Sequence, residues 1–244
     1  MAERDFQTQR LSFGAVADDY DRVRPSYPEA ALRWIIGDAP AKVVDLGAGT
    51  GLLTRVLARL GHDVTAVEPD ERMRRRCAGR SPGVPVLEGS GEAIPLPAGS
   101  VDAVVAGQAY HWFAGAAAHA EIARVLRPGG VFGPIWNLRD ESVDWVARLS
   151  VLVSLEDGTA HRGGYAEVDL GEGFGPAERR EFPNAQTHTA DSLVALVRSR
   201  SYFLAATPSR RRRIESGVRE LAAGLPPEFE LPYVTRAFRA RTVR

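Results

Sequence analysis

Apolar and polar positions alternate along this chain in a regular beat of short runs and longer helical stretches. Five brief apolar runs, at 42–46 (KVVDL), 63–67 (DVTAV), 84–88 (VPVLE), 101–106 (VDAVVA) and 131–136 (VFGPIW), have the length and β-branched content of buried strands. Between them, 51–61, 70–80 and 115–127 carry helical periodicity. Strands alternating with helices predict an α/β fold whose mostly parallel sheet is covered on both faces. The beat changes after Trp136. Residues 143–157 read as a helix, 158–177 are glycine-rich and aperiodic, and possible strands near 179–189 and 229–242 enclose helices near 190–205 and 208–223. Those two late strands predict an antiparallel hairpin added to the sheet. Upstream, 8–37 reads as two helices broken at Arg24-Pro25-Ser26-Tyr27-Pro28, where proline interrupts the helix.

Composition then narrows the chemistry. The 244 residues carry 31 basic and 31 acidic side chains, and a neutral balance disfavours a nucleic-acid surface or a polybasic membrane anchor. Lys42 is the only lysine, every other basic residue being arginine, a skew that reads as the coding bias of a GC-rich genome. A single lysine in the run Lys42-Val43-Val44 excludes a Schiff-base enzyme, a P-loop and a kinase. No signal-peptide core and no apolar stretch of ~18 residues is found, so a cytoplasmic protein without a membrane segment is expected. Cys77 is the only cysteine, and no H-E-x-x-H or C-x-x-C spacing occurs, so no metal is expected.

The strongest local signal is Val43-Val44-Asp45-Leu46-Gly47-Ala48-Gly49-Thr50-Gly51, a strand entering a glycine turn and then a helix. Glycines there let the backbone turn tightly and approach a ligand. Leu52 stands where a dinucleotide G-x-G-x-x-G fingerprint wants its last glycine. Glu68 ends the next strand, where a carboxylate can accept both hydroxyls of a ribose, so adenosine binding is the reading.

These residues resemble motif I of class I S-adenosylmethionine-dependent methyltransferases. Val67-Glu68-Pro69-Asp70 with Met73, Gly89-Ser90-Gly91-Glu92-Ala93-Ile94-Pro95, and Leu126-Arg127-Pro128-Gly129-Gly130 resemble the family's second motif, its third motif and the turn before its fifth strand. The stretch Gly107-Gln108-Ala109-Tyr110-His111-Trp112-Phe113 and the opening Phe13 to Pro28 are similar to the trans-aconitate methyltransferase-like, type 11 small-molecule branch. The likeness is close over 13–137 and loose beyond.

It implies a Rossmann-like, doubly wound, seven-stranded sheet, mostly parallel with an antiparallel C-terminal hairpin strand. It also implies one domain: a helical cap at 1–38, a cofactor-binding core at 39–137, and substrate-covering helices and final strands at 138–244. The cofactor is S-adenosylmethionine, and the partner a small-molecule methyl acceptor. On matching positions, Gly47, Ala48 and Gly49 would serve the methionine half, Glu68 the ribose, and Met73 or Pro69 the adenine. Asp45 and Gln108 fall in the cofactor set too. At the third motif this chain has Ser90, with Glu92 two places on, where the family often has an acid meeting the adenine amine; Ser90 or backbone near Gly91 could substitute. Tyr20 and Arg24 could close over the cofactor's carboxylate, though Arg24 could equally reach an acidic substrate. Tyr110, His111, Trp112, Trp136 and Tyr202 would line the acceptor side, His111 as a base or as part of an aromatic wall. Methyl transfer to O, N or C is expected, with a non-transferring cofactor binder and an RNA methyltransferase as the alternatives.

Overall fold

The computed structural model describes residues 21, 23–154, 168, 170–171 and 173–243, with only the backbone of Ser201. Most of the expected helix before Arg24, with Tyr20, and much of the glycine-rich segment, with His161 and Tyr165, lie outside the described residues.

Seven strands form one mixed sheet, mostly parallel with antiparallel C-terminal strands. They are β1 (Lys42–Leu46), β2 (Asp63–Val67), β3 (Val86–Leu87), β4 (Val101–Gly107), β5 (Leu126–Arg139), β6 (Glu178–His188) and β7 (Phe229–Arg241), in the order β3-β2-β1-β4-β5-β7-β6. β1 pairs in parallel with both β2 and β4, so the order reverses there, at the crevice where such sheets bind ligands. The helices are α1 (Glu29–Ile36), α2 (Leu52–Arg59), α3 (Glu71–Arg80), α4 (Ala116–Val125), α5 (Asp144–Val153), α6 (Ala190–Arg198), α7 (Ser201–Leu204) and α8 (Pro208–Ala222).

The chain packs as two compact units interleaved along the sequence. The glycine-loop unit takes 26–137, 164–182 and 235–244, and the helical unit takes 1–25, 138–163 and 183–234. The chain crosses between the units at 25/26, 137/138, 163/164, 182/183 and 234/235. In the glycine-loop unit, Val43, Val64, Val105 and Ile135 of the strands are buried with Ala31, Leu32 and Ile35 of α1 and Leu53, Val56 and Leu57 of α2. The helical unit gathers Val146 and Leu149 of α5, Leu193 and Val197 of α6, Ile214 and Val218 of α8, and Leu231 and Tyr233 of β7.

Three elements differ from expectation. Leu126 to Gly130 is not a turn before β5 but part of it. Val101 pairs with Leu126 and Ala103 with Val131, so Arg127 to Gly130 bulge opposite Asp102 alone. A bulge is where a strand tolerates proline, here Pro128. Arg127 pairs with Asp102 at 2.6 Å, and Asp102 also accepts the backbone N–H of Lys42 at 2.7 Å, which fixes the irregularity to β1. β3 shrinks to Val86 and Leu87. The helix expected over 190–205 breaks at Ser199, whose hydroxyl donates to Leu196 O at 2.7 Å while its own carbonyl accepts from Arg24.

Candidate functional site

At the carboxyl end of β1 the chain turns through Gly47, Ala48 and Gly49. Gly47 and Ala48 donate their N–H groups to Val67 O at 2.8 and 3.2 Å, lacing the loop to the end of β2. Gly47 has φ +73, and a Cβ there would lie 2.7 Å from the Cβ of Ala109, just past β4. The turn is thus closed on two neighbouring strands by backbone alone. Gly49 also has a positive φ, yet a Cβ built on it would meet nothing within 4 Å. It presents bare backbone to open space.

Glu68 holds that loop in place. It is 8% exposed; Oε2 accepts the Gly49 N–H at 2.9 Å and Oε1 accepts the Asp70 N–H at 2.9 Å. A carboxylate oxygen can take more than one donor, so these bonds aim the group without exhausting it. Asp70 caps α3 by accepting the Met73 N–H at 2.9 Å, and Met73 and Cys77 form that helix's buried stripe. Arg74 donates to the carbonyls of Glu68 and Pro69 at 3.0 and 2.6 Å, fixing the turn that carries Pro69.

Beneath the loop, Asp45 is 1% exposed. Its Oδ2 accepts from the Thr54 hydroxyl at 2.6 Å, and its Oδ1 is buried with no partner among the described residues. Burial pushes its pKa up to about 7, against the pull of the Thr54 hydrogen bond and with a push from the Glu68 charge. Burial likewise pushes the neighbouring Cys77 thiol up to about 11.

The third-motif loop sits against the aromatic segment after β4. A Cβ on Gly91 would lie 2.5 Å from the Phe113 ring, and one on Gly47 would reach the same ring at 3.8 Å. Ser90 spends its hydroxyl accepting the Glu92 N–H at 3.3 Å, and the Glu92 side chain is exposed. Glu121 and Arg124 of α4 hold the loop through Ile94 N, Ile94 O and Leu96 O. A charged i, i+3 pair in an alanine-rich helix was their signal in the sequence.

Gln108 follows β4 at φ +56, the only non-glycine residue with positive φ among the described residues. That conformation is strained for a side chain of its size. Its Nε2 donates to Asn137 O at 3.1 Å and its N–H to Ile135 O at 2.9 Å. Asn137 in turn donates to Ser26 O at 3.1 Å and accepts from the Thr235 hydroxyl. Sequence reasoning missed Asn137; a polar residue closing the apolar run of β5 was its only mark.

The residues expected on the acceptor side divide. His111 and Trp112 are half-buried, their rings 4.7 Å apart. Tyr110 is 2% exposed, bonds His119 Nε2 through its hydroxyl at 2.7 Å, and packs edge-on against Phe113, Phe132 and Trp136. Trp136 is as deeply buried, so both serve the core. Tyr202 and Arg24 belong to the helical unit, where Arg24 is hydrogen-bonded to Ser199. The structure therefore gathers Asp45, Gly47, Ala48, Gly49, Glu68, Pro69 and Met73 in one place, with Ser90, Gly91, Gln108 and Phe113 reaching the same edge. Among the described residues no three His, Cys, Asp or Glu side chains gather as metal ligands would, and no helix is long and apolar enough to cross a membrane.

Residues 44–133 match the family profile described as a methyltransferase domain. An uncharacterized methyltransferase of Mycobacterium tuberculosis is 41% identical over 94% of this chain and 95% of its own length. An uncharacterized methyltransferase-like protein of Schizosaccharomyces pombe is 33% identical over 95% and 96%. A solved structure assigned as a type II methyltransferase, from Anaeromyxobacter dehalogenans, superposes with a TM-score of 0.67 at 29% identity, covering 90% of this chain and 98% of that one.

Proposed function

We propose, for a chain that belongs to the class I S-adenosylmethionine-dependent methyltransferase family, that its glycine loop and Glu68 hold S-adenosylmethionine and that the acceptor is a small molecule methylated on O, N or C. The observation that carries this reading is the clamp of Glu68 on Gly49, beside a backbone with open space where a side chain would stand. The backbone of Gly47, Ala48 and Gly49, with no side chain at Gly47 or Gly49 to hold a ligand off, suits the methionine half, and the Glu68 carboxylate suits two ribose hydroxyls. Pro69 and Met73 supply apolar surface for adenine, with Ser90, Gly91 and Glu92 at its edge. When bound, the cofactor supplies a sulfonium methyl group for in-line displacement.

The protein's part is placement, which in favourable cases is worth roughly 7–11 kcal/mol. No nucleophilic side chain is required. His111 and Trp112, half-exposed past β4, are the side chains assigned to the acceptor, with His111 shaping its pocket. Zero net charge supports a small acceptor over RNA, and we place the reaction in the cytoplasm and in specialised metabolism.

The test is a melting experiment with S-adenosylmethionine, S-adenosylhomocysteine or NAD. At 100 times Kd, linkage gives about 2.7 kcal/mol, hence a rise of roughly 5–10 °C with either sulfur compound. A rise with NAD alone would overturn the assignment. Product release with a panel of phenols, amines and carboxylic acids then identifies the accepting atom.

A further inference from the structure

The helical unit holds a group of tyrosine and arginine side chains outside the glycine loop and Glu68. Tyr233 is 2% exposed, and its hydroxyl is buried with no hydrogen-bond partner among the described residues. Tyr202, packed against the same apolar cluster, buries its hydroxyl in the same state. Buried polar groups are nearly always met, so two unmet hydroxyls in one cluster point to something that meets them.

Three arginines reach the neighbourhood of Tyr233. Asp140 N donates to Pro232 O at 3.0 Å, which sets Arg139 beside Tyr233 on the adjacent strand. Arg24 is 9% exposed, and it donates from Nε to Ser199 Oγ at 3.1 Å and from Nη2 to Ser199 O at 2.8 Å. That anchors it next to Arg200, two residues before Tyr202. The side chains of Arg139 and Arg200 are half-buried and make no hydrogen bond or ion pair with the described residues. Burial raises the Tyr233 pKa, and Arg200, Arg139 and Arg24 each pull it back, so all three are close enough to act on the phenol. Guanidinium groups only donate, a phenol can donate, and arginine's planar fork matches the oxygens of carboxylate and phosphate.

We propose that Arg24, Arg139, Arg200, Tyr202 and Tyr233 form a binding site for the oxyanion of a small molecule, a carboxylate or a phosphate. A bound oxyanion would accept from both orphaned hydroxyls and from the guanidinium groups of Arg139 and Arg200. The site lies wholly within one compact unit.

Calorimetric titration of the full chain, without cofactor, tests it with three probes: succinate, inorganic phosphate and the neutral succinamide. Succinate or phosphate binds with a Kd of about 1 mM or tighter, which of the two distinguishing carboxylate from phosphate, and succinamide does not bind. Arg139→Met and Arg200→Met each weaken anion binding at least tenfold. Tyr233→Phe weakens it several-fold while leaving the melting temperature without anion unchanged or higher, because it deletes an unmet polar group; that second readout separates binding from folding. Silence from both anions, equal binding of succinamide, or full anion affinity in the Arg139→Met/Arg200→Met double variant would overturn the site. So would displacement of the anion by S-adenosylhomocysteine, since the oxyanion would then be the cofactor's own carboxylate. Failure of both sulfur compounds to bind removes the cofactor reading and leaves this titration unaffected.

Discussion

The glycine-loop unit and the helical unit each bury an ionisable group whose neutral form burial favours, and the two shifts have opposite signs. Asp45, beneath the loop, has its carboxyl pushed up to about 7 by burial, whereas His188 in the helical unit, 1% exposed with Nδ1 bonded to Ser192, is pushed down to about 4 by burial. Their sites contrast in construction as well. The loop site is made of the backbone of consecutive residues and one carboxylate nineteen positions on. The arginine–tyrosine cluster is made of side chains drawn from residues 24 to 233. Backbone recognition is compact in sequence because a turn is local; recognition by side chains collects residues from wherever the fold brings them together.

The sharpest way to break this contrast is Glu68→Ala. If the carboxylate both aims the loop and meets the ribose, cofactor affinity falls roughly a hundredfold or more, since charge-assisted bonds contribute about 1.5–3 kcal/mol each; calorimetry with S-adenosylhomocysteine reads this directly. Undiminished binding would mean that Glu68 is only a loop clamp.

The two titrations come next. Native Asp45 keeps its proton up to about pH 7, while the unfolded chain releases it near 4, so its contribution to stability is full below pH 4 and is lost as pH rises from about 4 to 7. Native His188 resists protonation down to about 4, so its contribution is full above 6.5 and is lost as pH falls through that window. Denaturant titrations across pH should therefore differ from wild type by a few kcal/mol at pH 8 for Asp45→Asn, in the stabilising direction, and at low pH for His188→Gln. Both differences are stabilising but lie at opposite ends of the pH range, and differences at the same end in both variants would dissolve the contrast.

Smaller in effect, Gly51→Ala should destabilise by roughly 1–3 kcal/mol in the same assay, because φ +84 is strained for alanine and its Cβ would lie 2.8 Å from the Cys77 sulfur. Smallest of all, Cys77, fully buried with its thiol pushed up to about 11, should resist alkylation in the native state and react on unfolding.

The parallel core was legible because its strands are buried on both faces and read as unbroken apolar runs: β1 and β2 match the expected 42–46 and 63–67 to the residue. The glycine loop and Glu68 were legible for the reason just given. What escaped depended on partners far away in sequence. The helix break at Ser199 rests on Arg24, 175 positions earlier. The extension of β5 back to Leu126 rests on Asp102 receiving Arg127 across a bulge. The left-handed turn at Gln108 rests on Asn137, and the neutral tendency of Asp45 on how completely the core encloses it. The depth at which Tyr110 and Trp136, expected on the acceptor side, are buried follows from the aromatic rings that the fold packs against them.

Lys42 opens β1 with its side chain exposed, at the opposite end of that strand from the glycine loop. Being the only lysine, it offers a single internal amine to acylating reagents. A fluorophore attached there would stand about 13 Å along the strand from Leu46, by the rise of ~3.3 Å per residue. Loop occupancy could then be followed by energy transfer in a protein that keeps its sequence unaltered.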